Sequence, residues 1–347
     1  FKQKTAYEIM PSLVGSEMCI RDRDVPVSLP TPMKTPKKPP FKYAGSKARM
    51  LKKYAASGFL VNEPKMFVDM FAGSVQVAYW IRQEYPEVPI VINDLNAELN
   101  QLYHVMMKHT DEYQLWSRKF LQPYLAITPP PKPKISEERK AYYYELRAEY
   151  REGGFTNPVK ESALLMFMMR TNFNGFWGQS KKFPGRYHTS AGNMWWKEEY
   201  FKKLQVQELD FIEFLKSCVI TCEPYENTQK WIDKDVWMYA DPPYRLSHEA
   251  YRAAGEFDDK CQEDLCNFMK DVHLAKGYGS LSNREHHDGN QISWEMAPSG
   301  RKWTNGGWFG DKFDDNWTMH MFTGHKYTSG RKDKEGCLAT EILIKNY

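Results

Sequence analysis

A chain of 347 residues exceeds a usual single core and suits one large α/β domain carrying an insertion. Hydrophobic residues make up 41% and aromatics 15%, yet no apolar run approaches the roughly 18 residues that a membrane span needs, so no membrane association is expected. The net charge is only +4, from 48 basic and 44 acidic side chains, so any strongly basic surface has to be local.

Residues 1 to 24 hold four charges of each sign and lack apolar periodicity and signal-peptide order, and they read as foreign to the fold. Residues 25 to 62 then carry eight basic side chains and no acidic one. The proline-rich TPMKTPKKPP within them is read as disordered, either a solvated lysine-rich linker or a strip that screens phosphates. From residue 41 the chain becomes orderly. A turn at Gly45 leads to a helix-like stretch from Ser46 to Tyr54, then to the buried-strand pattern Met66-Phe67-Val68. Phe71-Ala72-Gly73-Ser74 breaks that strand, Val75 to Tyr85 has helical spacing, and Val88 to Ile92 forms the next strand, ending in Asn93-Asp94. This is a βαβ unit. Asp94 lies about 20 residues beyond the small-residue loop, where doubly wound folds grip a ribose hydroxyl. A helix cap is the competing reading, because Asn96 and Glu98 follow in a helical run.

From about Asp111 to Phe201 the composition shifts, with PPPKPK at Pro129 to Lys134, the helical pattern AYYYELRAEYRE, and the apolar run Ala163 to Met169, which is expected to be a buried helix. This stretch reads as an insertion. Val236 to Ala240 is then a short apolar strand, and Asp241-Pro242-Pro243-Tyr244 follows at its carboxyl end, where open α/β sheets bind ligands.

The tetrapeptide suits one chemistry. The lone pair of an exocyclic amino group is delocalised into its ring, so two acceptors must draw its N–H groups towards a tetrahedral geometry. The Asp241 carboxylate supplies one and the Pro242 carbonyl the other, while Pro242 and Pro243 restrict the backbone that aims them. Tyr244 can stack on a flipped base and favours a nearby sulfonium charge. Direct in-line displacement needs no covalent enzyme intermediate.

In its motif order the chain resembles the Dam-type adenine-specific DNA methyltransferases, from about Phe41 to Tyr347. Phe41 to Lys47 is similar to the family's opening motif, whose aromatic and lysine contact the cofactor, here Tyr43 and Lys47. Phe67 to Gly73 is similar to its methionine-binding strand and loop, carrying Asp69, Phe71 and Gly73, and Asn93 to Asn96 to its ribose motif with Asp94. Arg170-Thr171-Asn172-Phe173-Asn174-Gly175 is similar to the segment at the DNA, with Phe173 matching an aromatic that wedges into the duplex where a base leaves the stack. Ser282-Asn283 and Glu341 to Ile344 are similar to later strands. The resemblance implies a Rossmann-like doubly wound mixed sheet of the S-adenosylmethionine-dependent methyltransferase fold, with a mainly helical inserted target-recognition domain. On that reading residues 41–110 and 206–347 are catalytic, 111–205 recognise the target, and 1–40 are a disordered N-terminal segment. The implied cofactor is S-adenosylmethionine, shared by Tyr43, Lys47, Asp69, Phe71, Gly73, Asp94 and Asp241, and the implied partner is double-stranded DNA.

Two departures stand out. Val75 takes the place of a second loop glycine, which a shortened loop would compensate. Gly178 stands where members that methylate GATC have an arginine reading a guanine, so Trp177, Gln179, Lys181, Lys182 and Arg186 become the candidate readers. Lys181, Lys182, Arg186, Lys326, Arg331 and Lys332 are candidate phosphate contacts. Alternatives are a catalytically silent DNA-binding module of the same fold, motivated by Val75, and a cytosine amino-group methyltransferase, which more often has serine at position 241; a protein glutamine methyltransferase prefers asparagine there. The absence of a Pro-Cys dipeptide argues against cytosine carbon-5 chemistry. The six cysteines include no CxxC pair and no histidine cluster stands beside them, so they are read as reduced and no metal is expected. The expected setting is the cytoplasm of a bacterial or phage-infected cell, with a monomer on DNA and any cognate endonuclease not fused to the chain.

Overall fold

The computed structural model describes residues 35–128, 136–178, 186–192, 197–244, 257–285, 294–297, 300–303, 308–326 and 338–347. Residues 1–24, Gln179, Lys181, Lys182, Arg331 and Lys332 lie outside these, as does the side chain of Lys326.

The βαβ unit forms as its pattern suggests. β1 (Met66–Asp69) is buried at Phe67 and Val68, and a short loop leads into α2 (Gln76–Glu84). β2 (Ile90–Asn93) starts one residue after Pro89, whose missing N–H therefore costs the ladder nothing, and α3 (Ala97–Lys108) follows. A short α1 (Leu51–Ala56) precedes this unit. Three helices then come in succession: α4 (Thr110–Ala126), α5 (Glu137–Glu152) and α6 (Pro158–Thr171). Asn157 caps α6, its side chain accepting from the N–H groups of Val159 and Lys160, with Pro158 opening the first turn. The apolar run Ala163–Met169 is buried on every side of α6, which packs against α3, α4 and α5.

The chain returns to the sheet through α7 (Glu198–Lys216), β3 (Cys218–Thr221) and β4 (Val236–Ala240), then α8 (Asp259–Leu274) and β5 (Tyr278–Glu285). A separate hairpin pairs β6 (Trp294–Ala297) with β7 (Gly300–Trp303), and β8 (Thr318–Lys326) and β9 (Leu338–Lys345) complete the main sheet. Its order is β3-β2-β1-β4-β5-β9-β8. The first five are mutually parallel, while β9 runs antiparallel to both β5 and β8. This is the mixed, doubly wound sheet expected of a methyltransferase. The order reverses between β1 and β4, so their carboxyl ends, at Asp69 and Ala240, flank the switch point where such sheets bind ligands. No helix among the described residues is long and apolar enough to cross a membrane.

Candidate active site

Asp241 leaves β4 beside the end of β1, and three elements far apart in sequence converge on it. Lys47, from a single 3-10 turn (Lys47–Arg49), is 5% exposed and donates from Nζ to both carboxylate oxygens at 2.6 Å. Ser282 of β5 donates from Oγ to Oδ1 at 2.8 Å, and the Tyr239 hydroxyl meets that Oγ at 3.1 Å. Burial raises the Asp241 carboxyl above the ordinary carboxylate range; Lys47 opposes the shift, Glu341 adds to it and Ser282 opposes it. The aspartate is thus held in one orientation by charge-assisted donors.

The rest of the tetrapeptide is also fixed. Gln262 of α8 donates from Nε2 to the Pro243 carbonyl at 2.7 Å, and Asn283 donates to Gln262 Oε1 at 2.9 Å. Both amides are buried, so two elements set a backbone already stiffened by two prolines. Tyr244 donates its hydroxyl to Glu341 Oε1 at 3.1 Å, and Lys47 Nζ lies 4.8 Å from the centroid of its ring.

On the β1 side, Asp69 is 2% exposed and its Oδ1 meets no hydrogen-bond partner among the described residues. Burial pushes its carboxyl well above the ordinary value, with repulsion from Asp241 and Asp94 adding to the shift. Asp94 is not the cap of α3. That role falls to Asn96, whose side chain accepts from the N–H groups of Glu98 and Leu99. Asp94 instead accepts from Gly73 N at 2.7 Å and Asn96 N at 2.8 Å, joining the ends of β1 and β2; burial raises its carboxyl against these two bonds. The neighbouring Asn93 ties the Met70 and Glu223 carbonyls through its amide nitrogen. Gly73 has φ +46°, and a Cβ there would stand 3.2 Å from Tyr43 Cε1, so the absence of a side chain lets Tyr43 lie against the loop. Phe71 packs with Tyr225 and Phe257, at centroid distances of 5.2 and 5.8 Å. The loop is not relieved at Val75. This fully buried, β-branched residue takes φ +54°, the left-handed conformation that a glycine would supply without strain. Three neighbouring carboxyl groups, of which Asp69 is buried and raised by the charges of the other two, fit a cationic ligand with hydroxyl and ammonium donors.

A model of the D12 class N6 adenine-specific DNA methyltransferases matches residues 43–305, from Tyr43 through the tetrapeptide and beyond. The chain belongs to this family. It is 24% identical over 251 residues to the type II methyltransferase M.MjaIII of Methanocaldococcus jannaschii, covering 71% of this chain and 81% of that protein. It is 26% identical over 206 residues to the DNA adenine methylase of Salmonella typhi, covering 58% of this chain and 63% of that one, and so spans less than two thirds of the latter's length. To the DNA adenine methylase of Haemophilus influenzae it is 23% identical over 243 residues, covering 69% and 76%. Family membership brings with it a DNA partner and a methyl donor.

Within this D12-class chain the segment expected at the DNA divides in two. Phe173 is 40% exposed and stacks on Phe176, and Asn174 is exposed with φ +53°, so these two point outward. Arg170, Asn172, Trp177 and Arg186 do not. Arg170 is buried in an ion pair with Glu208 at 2.6 Å and donates to the Pro40 carbonyl. Asn172 is 1% exposed, donating to the Tyr187 hydroxyl and accepting from Gly175 N. Trp177 is buried edge-on against Tyr187, and Arg186 pairs with Glu161 at 2.5 Å and donates to the Tyr150 carbonyl. The polar groups of Arg170, Asn172 and Arg186 are engaged in holding the loop, and the Trp177 indole nitrogen is buried without a hydrogen-bond partner among the described residues. The loop also docks on the opening motif: Ala44 N donates to the Gly175 carbonyl at 2.7 Å, and a Cβ on Gly175 would stand 2.8 Å from Tyr43 N. Lys42 lies beside it, its amine lowered to about 8 by burial.

Gly178 is a packing requirement. A Cβ there would lie 2.5 Å from the His188 carbonyl oxygen, and the His188 N–H donates to the Gly178 carbonyl at 2.6 Å, so a side chain at this position meets backbone. From the sequence Gln262 drew no notice, Tyr54 marked only the end of a helix-like stretch, and Ser282, Asn283 and Glu341 were only strand positions. The available signal for β5 was its polar alternation: Ser280 and Ser282 are both fully buried, on one face of a strand whose other core residue is Leu281.

Proposed function

We propose that this chain transfers a methyl group from S-adenosylmethionine to the exocyclic amino group of adenine in double-stranded DNA, by extruding the base and displacing the methyl directly. The observation that carries this reading is the Asp241 carboxylate, held by Lys47 and Ser282 at the end of β4 and continued by a backbone locked through Gln262. Asp241 accepts one amino N–H and the Pro242 carbonyl the other, raising the nitrogen lone pair out of conjugation. The Tyr244 ring lies against the base face. S-adenosylmethionine, when bound, would supply an electrophilic methyl on a sulfonium; the amino nitrogen held by Asp241 and Pro242 would take it as the C–S bond breaks, its surplus proton passing to solvent and S-adenosylhomocysteine leaving. Asp69 suits its ammonium group and Asp94 its ribose hydroxyls, with Tyr43, Lys47, Phe71 and Gly73 completing the surroundings.

We take residues 41–110 and 206–347 as the catalytic domain and 111–205 as the target-recognition insertion, with Phe173 as the wedge at the extruded base and Asn174 beside it. Lys181 and Lys182 remain candidate phosphate contacts. Gly178 argues against GATC as the site, because glycine cannot form the arginine fork on guanine. The type II designation of the archaeal relative favours a restriction-modification setting; we further take the enzyme as a cytoplasmic monomer, with any cognate endonuclease a separate chain. Expression in a methylation-free host followed by base-modification sequencing tests the reading: modified adenine within one motif supports it, and modified cytosine or none overturns it.

A further inference from the structure

One carboxyl group at the site has no part in the steps above. Glu341 of β9 is 4% exposed and lies beyond the stretch matched by the family model. Its Oε1 accepts from the Tyr54 hydroxyl at 2.9 Å and from the Tyr244 hydroxyl at 3.1 Å, and Lys47 Nζ is 3.8 Å from the same oxygen. That lysine also holds Asp241, so two carboxylates share one ammonium, and the aromatic residue of the tetrapeptide is anchored to the second of them. The antiparallel register puts Glu341 opposite Arg284 and Ile342 opposite Asn283, which fixes Glu341 beside the strand that carries Ser282.

We propose that Glu341 is a positioning residue for methyl transfer: it fixes the plane of the Tyr244 ring through the phenol and draws on Lys47, so that Asp241 is oriented without being wholly neutralised. The inference rests on the function proposed above. The physical reason is that a tyrosine ring without a partner for its hydroxyl turns about two side-chain bonds, whereas a phenol donating to a buried carboxylate, here at 3.1 Å, is tied at its tip by a charge-assisted bond. Tyr54 secures the carboxylate from α1, so the anchor does not move with Tyr244. A lysine serving Asp241 alone would hold both acceptor oxygens more tightly, at the expense of the amino group that must reach them. The groups facing Asp241 are Lys47, Glu341, Ser282, Tyr239, Tyr54 and Asp69, and Arg284 lies 5.9 Å from the Tyr244 ring centroid.

The test compares the full chain with Glu341→Gln, Glu341→Ala and Tyr244→Phe, measuring kcat, the KM for S-adenosylmethionine and the pH profile on double-stranded DNA. Glu341→Gln keeps an acceptor and loses the charge, and it should lower kcat about tenfold with KM little changed, the scale of one charge-assisted hydrogen bond. Its acid limb should move to lower pH, because one negative neighbour of Asp241 is gone. Glu341→Ala should lose more, so that glutamine acts as a partial rescue, and Tyr244→Phe should have less effect in the glutamine background than in the wild type. Wild-type kcat with an unmoved acid limb in Glu341→Gln overturns the inference, as does a kcat loss that merely follows the melting temperature. Should Glu341→Gln fail to fold, Tyr244→Phe decides: reduced kcat at unchanged cofactor affinity supports the anchor, and undiminished turnover overturns it. A wild type that methylates no adenine overturns the proposed function and this inference together; an active wild type with an indifferent Glu341→Gln overturns the inference alone.

Discussion

Replacing Lys47 with methionine keeps most of the stem and removes the ammonium that holds Asp241. In the folded protein the pair is nearly enclosed, with side-chain exposures of 6% for Lys47 and 18% for Asp241. The substitution leaves Asp241 with Ser282 as its remaining named donor and with Glu341 as a repulsive neighbour. Breaking a buried pair by removing one partner costs about 3–5 kcal/mol, and the residual exposure of Asp241 favours the lower end, about 3 kcal/mol at pH 8. In a chain of this size that lowers the melting temperature by roughly 4 °C. The pH dependence has a definite sign. The Asp241 carboxyl is already raised in the fold, and losing Lys47 raises it further, so the folded state binds the proton more tightly than the unfolded chain. Such a group stabilises fully below its unfolded pKa of about 3.9 and loses that contribution as pH rises through the folded value. The stability gap between variant and wild type should therefore be widest at pH 8 and narrow towards pH 4, as read by denaturant unfolding at each pH. Methyl transfer by the variant should fall, with its acid limb displaced upward. A gap that is the same at both ends of the range would refute the claim that Lys47 acts chiefly on the Asp241 charge.

Other outcomes follow from the same geometry. Because Asp69 is raised well above its ordinary range, S-adenosylmethionine affinity should fall with decreasing pH, by at most about tenfold per unit, and Asp69→Asn should weaken binding and flatten that dependence; calorimetric titration across pH checks both, and an equally steep slope in the variant would count against Asp69 as the ammonium partner. Gly178→Ala should destabilise by roughly 1–3 kcal/mol, since its Cβ meets backbone at the His188 carbonyl, and should impair DNA methylation more than cofactor binding; a neutral melting curve would contradict it. Phe173→Ala should leave cofactor affinity unchanged while reducing extrusion of a fluorescent adenine analogue in duplex DNA, an effect that intact extrusion would exclude.

Much of the catalytic half was legible because it is local. β4 spans Val236–Ala240, as its apolar run suggests, and β1, α2 and β2 fall within two residues of their expected ends. Strand order was not legible from spacing: β9 lies between β5 and β8 through antiparallel pairings that no local pattern encodes. The same limit applies at the site. Lys47 and Asp241 are 194 residues apart, and Tyr54 and Glu341 are 287 apart, so their pairing is a property of the fold. The partners of the basic residues near Phe173 were hidden for a related reason. An arginine reads as a phosphate contact until its counter-ion is known, and those of Arg170 and Arg186 lie 38 and 25 residues away, at Glu208 and Glu161. At Val75 the missing glycine was visible in sequence, but only the dihedral angle reveals that the valine takes the strained conformation instead of avoiding it.

The most direct test of the central claim is Asp241→Ala beside the wild type in a methylation-free host, with the DNA of both sequenced for modified bases and both proteins melted. The wild type should mark adenine within one sequence motif, and the variant should mark none while keeping a cooperative melt. Adenine marks persisting at wild-type density in the variant, or marks on cytosine alone, would contradict the account.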